Sequence, residues 1–538
     1  MTTPVCSSDS VPTSPSDHTL GSFSDDGPWD LVEQPPIWVA QTPALRASQA
    51  NALPEVLKRP RLPPAVRTAE VVAVMGSTIA RWWASERGGE KSRLLLSRRI
   101  RVAAERLGPT YIKLAQIISA GEGVFPPELV AETKKCRDQV PPETYEDVVR
   151  TVEHELGRPL HQVFRSFDPT PLASASIAQV HRAVLISGAE VVVKVQRPGI
   201  DRLVRRDLKV LAWLAPLLVG RIPASALANP PVLVELFAET IIEELDFRLE
   251  AANILDVAEV FVRLERTGFV IPRPHPTLVT RRVLVMERLH GFNFDDVAGM
   301  KQAGVDTHDV IETGMLGFLE GAFLHGVFHG DLHGGNLFVL PDGRVGLVDF
   351  GITGRLSEPE RLAFLRLMMS STTNNVVGQV EALRDMGALP PDSDIEAVIA
   401  DLGLDAPPPD PTQLSPDELA AEVQRLLKAL LGYGARLPKP LMLYVKNLIF
   451  IDGAIATLAP DLDMFSVVTK IAAHFATTHG PTIAAELGGP AVGWEIDEEA
   501  IKAGFGVDPS IHSELTYAEL QQRRALIRRR LTKRGVEQ

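Results

Sequence analysis

The sequence predicts an α+β fold in two lobes, opened by a helical extension and closed by a helical C-terminal region. Apolar periodicity is helical from about residue 66 to 120, gives way to short β-rich runs between about 155 and 200, and returns to helix after 290. The chain has 538 residues, 45% of them hydrophobic and 23% charged, enough for two or three domains with buried cores. Residues 329–351, HGDLHGGNLFVLPDGRVGLVDFG, interrupt the later helices. They set an Asn five positions after an Asp, and Asp-Phe-Gly eighteen positions after it.

Taken in order, residues 1–60 are dense in Ser, Pro, Thr and Asp with little apolar periodicity, the composition of a tail that buries too little surface to offset its ordering entropy. A helical extension follows over 61–150, with Val71, Val74 and Met75, then RLLLSRRIRVAAERLG and TYIKLAQIISA, punctuated at Gly108-Pro109. Residues 151–290 form a small mixed lobe. Its markers are a strand VVVKVQ (191–196) after the turn residues SGAE, one long helix over 233–263, and a buried strand in RRVLVMERL (281–289). Residues 291–480 form a mostly helical lobe in which NLFVL and VGLVDF flank the turn Pro341-Asp342-Gly343. Residues 481–538 are helical and end in a basic tail.

Composition narrows the function. A net charge of −13 and a pI near 5.6 argue against a sequence-independent grip on nucleic-acid phosphates. Two cysteines, Cys6 and Cys136, provide neither a disulfide framework nor a four-thiolate zinc site, and suit the reducing cytoplasm. No Lys or Arg precedes Arg46, so no secretory signal is expected. The apolar runs at 210–220 and 448–459 are short or carry charge, so no transmembrane span is expected.

The segment at 329–351 has the spacing of phosphoryl-transfer chemistry. Moving a phosphoryl group needs charge neutralisation by Mg²⁺ and a lysine, and a carboxylate to orient the attacking group. Asp331 and Asn336 present a base and an amide oxygen from one loop, and Asp349, after the next strand, can reach a metal between them. An isolated Asp-Phe-Gly is more simply a turn; the joint pattern, with a strand lysine and a helix glutamate upstream, is what gives it weight. Lys194 in VVVKVQ needs a partner if its strand is buried. Glu239, Glu243, Asp246 and Glu250 fall on one face of an unbroken helix over 233–263, where a cation would relieve their repulsion; a solvated acidic face is the plainer alternative. Glu244 and Asp246 would point to nearly opposite sides of that helix. MERLHG (286–291), containing Glu287, suits a hinge whose backbone would bond an adenine, or simply a strand exit. His329 and His333 lack a third ligand pattern and read as loop-orienting residues. No GxxxxGK[ST] motif occurs.

Several stretches together resemble the UbiB or AarF family of atypical kinases, which has a protein-kinase-like fold. GPTYIKLAQIIS (108–119) is similar to the family's KxGQ helix, PLASASIAQVHRA (171–183) to its alanine-rich loop, VVVKVQRPGI (191–200) to its lysine strand and EELDFRLEAAN (243–253) to its ExD helix. HGDLHGGN and DFG complete the set. The resemblance implies ATP and Mg²⁺ as cofactors, with Ala173, Ser174, Ala175 and Ser176 over the nucleotide, Lys194 paired with Glu250 on its phosphates, Asp331 as catalytic aspartate, and Asn336 and Asp349 as metal ligands. It also implies that Lys113 and Gln116, with Glu244 and Asp246, form an insert covering the place where a protein substrate would dock. A small-molecule, lipid or prenyl-type acceptor in quinone or lipid metabolism follows from the same resemblance. The chain departs from the family at Ala115, which replaces a glycine, at Ser174 in the alanine loop, and at Leu332 and Gly334, where prolines are common.

Two alternatives compete. A phosphotransferase of the aminoglycoside or choline type shares the HGDLHGGN loop, but such enzymes usually lack the glycine of DFG and the KxGQ and ExD pair. A nucleotide-binding scaffold without turnover would have no need of Asp331. The tail QQRRALIRRRLTKR (521–534) carries seven basic residues; a solvated terminus is the plainer reading and a peripheral contact with anionic lipid the sharper one.

Overall fold

The computed structural model describes residues 36–59, 63–86, 92–119, 125–136, 141–218, 230–372, 375–404 and 438–487, with isolated positions between 433 and 525. The basic tail at 521–534 lies almost wholly outside the described residues.

Helices α1 (Ile37–Leu57), α2 (Ala65–Ser85), α3 (Ser92–Leu107), α4 (Pro109–Ser119) and α5 (Pro127–Thr133) open the chain. The expectation of a tail to residue 60 is corrected by α1. Despite Pro43 and Pro54 inside it, α1 buries Trp38, Thr42 and Val56, and the Trp38 indole donates to the Pro276 carbonyl at 3.0 Å. Its apolar anchors are spaced between small and polar residues and two prolines, which hides them in the sequence. Gly108, at φ +97°, makes the sharp turn between α3 and α4 in a conformation that suits glycine.

The small lobe contains α6 (Tyr145–Leu156) and a sheet ordered β1-β3-β4-β7-β6, with β2 paired to β3. Its strands are β1 (Phe164–Phe167), β2 (Ala173–Ser174), β3 (Ala178–Leu185), β4 (Glu190–Gln196), β6 (Pro274–Val279) and β7 (Val283–Glu287). Between β4 and β6 come α7 (Ile200–Leu218), α8 (Pro230–Glu243), α9 (Phe247–Arg263) and a short strand β5 (Phe269–Val270). The single helix expected over 233–263 is therefore two. Asp246 caps α9 by accepting from the Arg248 N–H at 3.2 Å, and the Leu245 carbonyl turns out of the helix to accept from Gln196 Nε2 at 3.1 Å. Side-chain competition at three residues outweighs the helical periodicity on either side.

The large lobe comprises β8 (Phe292–Asn293), α10 (Val297–Gln302), α11 (Thr307–Leu324), β9 (Val327–His329), β10 (Leu337–Val339), β11 (Val345–Leu347), β12 (Thr353–Arg355), α12 (Glu358–Thr372), α13 (Val376–Asp385), α14 (Ile395–Leu402), α15 (Lys439–Leu458), α16 (Met464–His474) and α17 (Gly480–Leu487). The predicted hairpin is present: β10 pairs antiparallel with β11, and β8 and β5 extend it to four strands. Among the described residues, α15 alone is long and apolar enough to cross a membrane; here Leu443, Tyr444 and Asn447 of that helix are buried in the lobe. One apolar core runs from α1 through α8, α9, α11 and α15, and a second lies between α6 and the small-lobe sheet.

Candidate active site

The strand period places the lysine. Val191, Val193 and Val195 of β4 pack in the core beneath α6, so Lys194 and Gln196 face α9 on the other side. Lys194 Nζ lies 2.7 Å from Glu250 Oε1 and 2.8 Å from Asp349 Oδ1. Burial alone would depress this ammonium, but Asp349 and Glu250 outweigh it and hold it above the ordinary lysine range. One cation thus ties strand, helix and the Asp-Phe-Gly segment together across the interface of the lobes.

The break between α8 and α9 sends neighbouring acids to different places. Glu244 pairs with Lys113 Nζ at 2.8 Å, while Asp246 is held by the Arg248 guanidinium at 2.9 and 2.7 Å. The acidic face expected for Glu239, Glu243, Asp246 and Glu250 does not form: Glu243 meets Lys439 at 3.1 Å, Asp246 meets Arg248 and Glu250 meets Lys194. Lys113 reaches the cleft from α4. Burial is the largest influence on it and works against its charge, yet Glu244, Asp331 and Asp349 raise its pKa above the usual lysine value. Ala115 is buried against Ile112 and Cys136, so its methyl is accommodated away from the cleft. Gln116 lies one helical turn beyond Lys113 on the half-buried side of α4.

The loop over residues 329–336 is fixed at both ends. His329 is buried, with Nε2 3.1 Å from the Val348 carbonyl and Nδ1 accepting from the Asp331 N–H at 3.1 Å; His333 Nδ1 accepts from the Gly335 N–H at 3.1 Å. Both therefore orient the loop. Asn336 Nδ2 donates to the Asp331 carbonyl at 3.0 Å, which turns its amide oxygen away from that bond. Asn253 Nδ2 donates to the Phe350 carbonyl at 2.9 Å, and Asp349 takes a positive φ of 62°, an unfavourable backbone state held by its surroundings. Oxygen atoms of Asn336 and Asp349 form the donor type a hard divalent cation takes.

Sequence reasoning missed two residues of α15. Lys446 Nζ donates to Asp331 Oδ1, and Asn447, fully buried, donates to the His329 carbonyl and accepts from the Leu332 N–H at 3.0 Å. A Lys-Asn pair inside the apolar stretch LMLYVKNLIFI was the available signal. Burial would raise the Asp331 pKa, but Lys446 and Lys113 pull it below the usual carboxylate range, as Lys194 and Lys113 do for Asp349.

The alanine-rich turn is closed by Ala175 N–H donating to the Ala178 carbonyl at 2.8 Å, with Ser176 buried and Ala173 exposed. Arg197 pins it, donating to the Ala175 carbonyl at 3.1 Å and to Ser174 Oγ at 2.8 Å. Ser174 is thus an anchor rather than an interruption. Glu287 ends β7 with its carboxyl turned into the small lobe, accepting from the Arg273 N–H at 3.1 Å. Burial pushes that carboxyl up to about 8 against the pull of this hydrogen bond. A role in nucleotide contact would fall to the main chain around it and not to its side chain.

A paired strand lysine, an aspartate in the loop after β9 and a second acid after the hairpin define a kinase-like cleft. The family model for the ABC1 atypical kinase-like domain matches residues 135–383. An uncharacterised protein of Mycobacterium tuberculosis is 37% identical over 365 residues, covering 67% of this chain and 74% of that one. An aarF domain-containing protein kinase of Arabidopsis thaliana, described as chloroplastic, is 33% identical over 68% of this chain and 72% of its own length. A probable protein kinase UbiB of Marinobacter nauticus is 33% identical, covering 68% of each. The chain belongs to the UbiB/AarF family of ABC1-type atypical kinases.

Proposed function

We propose that this protein uses ATP and Mg²⁺ to transfer or hydrolyse a phosphoryl group, acting on a small lipid or prenyl-type molecule in quinone or lipid metabolism. The observation that carries this reading is the convergence of Lys194, Glu250 and Asp349 within 2.8 Å contacts, beside a loop bearing Asp331 and Asn336. Mg²⁺, when bound, would neutralise phosphate charge, with the oxygens of Asn336 and Asp349 as its protein ligands.

Each residue of the chain has a distinct part in this reading. Lys194 is released from Asp349 when phosphates arrive, while Glu250 keeps its ammonium aimed into the cleft. Asp331, held ionised by Lys446 and Lys113, accepts a hydrogen bond from the attacking hydroxyl or water and orients it. Lys446 faces the same point and offers positive charge to the transferred group, which the loop DLHGGN does not supply from its own sequence. Lys113, joined to Glu244, narrows the cleft from the side of α4, which favours a small acceptor over a folded protein. The Arg197-pinned alanine turn covers the nucleotide in place of a glycine-rich loop.

In this reading the protein acts in the cytoplasm, with any contact to an anionic membrane made through residues 521–534. Phosphate release from ATP by the full chain, compared with Asp331→Asn, tests the catalytic assignment: a loss of about a hundredfold or more is expected. Equal, negligible rates would instead favour a nucleotide-binding scaffold.

A further inference from the structure

Glu320 of α11 is fully buried, and three nitrogen-bearing side chains converge on it. Arg266 holds both its oxygens, Nε on Oε2 and Nη2 on Oε1, each at 2.6 Å. His474 Nε2 and His479 Nε2 reach the same Oε1 at 2.9 and 3.0 Å. These histidines are five residues apart, a spacing that an α-helix would set about 140° around its axis. Phe475–His479 instead forms a π-helical segment between α16 and α17, and its wider turn brings the two rings to one side with centroids 5.3 Å apart. A rare backbone state thus gathers two imidazoles on one carboxylate.

The hydrogens of this cluster do not all fit. His474 Nε2 lies 2.9 Å from Glu320 Oε1 and also 2.9 Å from Arg266 Nη2. With a hydrogen, this nitrogen bonds the carboxylate and confronts a guanidinium N–H; without one, it accepts from Arg266 and turns its lone pair on the carboxylate. One of the two contacts is repulsive in either state. A cation taken by that lone pair and by Glu320 Oε1 removes the conflict, provided Arg266 Nη2 withdraws. There is room for it to do so: Arg266 is partly exposed and, with His474, lines a cavity of about 480 Å³. Glu265, Asp309, Glu312 and Lys470 share that lining, so with Glu320 the carboxylates outnumber the cations by two, the charge of a divalent ion. The flanking Arg263 and Arg361 are answered by their own acids, Glu259 and Glu486.

We propose that Glu320, His474 and His479 form a zinc site in which Arg266 and the ion compete for one carboxylate oxygen. The three ligand atoms lie within 4.8 Å of one another. A tetrahedral zinc with ligands at about 2.0–2.1 Å sets them about 3.3 Å apart, so the two short contacts have to open by only about 0.3 Å. Two imidazoles and a carboxylate suit zinc better than Mg²⁺, which takes oxygen ligands. Supporting bonds are in place: His474 Nδ1 lies 3.3 Å from Thr478 Oγ1, and Arg266 Nε can keep Oε2. The cavity is the path of entry, and a water on that side completes the coordination. Such an ion ties α16 and the π segment to α11, apart from the phosphate-facing lysine.

The test is titration of the full chain, freed of metal and nucleotide, with Zn²⁺ in competition with a chromophoric chelator, so its outcome does not depend on catalysis. One zinc per chain should bind and raise the melting temperature. His474→Gln and His479→Gln each keep an amide that can bond Glu320, and each should weaken zinc by about a hundredfold or more. Arg266→Gln, which removes the competitor, should tighten zinc about tenfold or more, and zinc should restore the melting temperature that this variant loses. Co²⁺ in place of zinc should give the visible absorption of a tetrahedral ion, lost in His479→Gln. Asp349→Ala should leave zinc affinity unchanged, which separates this site from the nucleotide cleft. No uptake of zinc, uptake insensitive to both histidine variants, uptake lost in Asp349→Ala, or weaker uptake in Arg266→Gln would each overturn the proposal and leave the cluster a hydrogen-bonded ion pair.

Discussion

The two carboxylates that face each other across the cleft are held by different kinds of construction. Asp349 is reached by Lys194, whose direction follows from the alternation of β4 and whose partner Glu250 lies on the adjoining helix. Asp331 is reached by Lys446 and its loop is pinned by Asn447, both from a helix more than a hundred residues further along the chain. Both clamps are tertiary, Lys194 and Asp349 being 155 residues apart and Lys446 and Asp331 115. They differ in that each member of the first sits in a short recognisable sequence pattern, whereas Lys446 and Asn447 do not. The contrast teaches that a catalytic loop can carry its motif in one place and its support in another.

The first clamp should be the more sensitive of the two. Lys194→Ala or Asp349→Ala should weaken Mg-ATP binding or turnover by about a hundredfold or more, since each removes a charge facing the phosphates. Nucleotide affinity in Mg²⁺ that stays at the wild-type level in Asp349→Ala would contradict the metal assignment. At the second clamp, Asn447→Ala leaves the buried Leu332 N–H without its acceptor and the His329 carbonyl without its donor. A loss of about 2–4 kcal/mol in chemical denaturation is expected. An unchanged midpoint would show that the loop holds itself.

Lys446→Met tests the second clamp through pH. Lys446 helps hold the Asp331 pKa low in the folded protein, so removing it lets that pKa rise. The acid limb of the ATP hydrolysis profile should therefore move to higher pH. A limb that does not move would assign it to another group.

The smallest effect concerns Glu287, outside both clamps. Its carboxyl is raised to about 8 in the folded state, so the unfolded chain ionises it first and folding loses stability as pH rises from about 4.5 toward 8. Glu287→Gln keeps an acceptor for the Arg273 N–H and should flatten that decline by roughly 1–3 kcal/mol. Thermal melts of both proteins between pH 5 and 9 measure it.

How much of this was legible in the sequence follows the same division. The hairpin after the catalytic loop, the lysine strand and the pairing of Lys194 with Glu250 all rest on short-range patterns or on motifs, and they were readable. The break at Glu244-Leu245-Asp246 was not, because the periodicity on either side suits one helix and the competing bond to Leu245 comes from Gln196 on another strand. Helix α1 was hidden by its prolines and polar surface, since it is held by a few contacts to distant elements. Lys446 and Asn447 were visible as polar residues in an apolar helix, but their partners depend on how α15 packs.

Leu332 gives the loop a requirement of its own. Its main-chain N–H has to find an acceptor, and Asn447 provides it from well beyond residue 383, where the match to the family domain ends. A protein trimmed to that matched portion would keep every recognisable motif of the catalytic loop and of Asp-Phe-Gly, yet lose the ceiling against which the aspartate rests. For this chain, a fold that holds the loop has to reach at least to α15, past the point where the sequence signature ends.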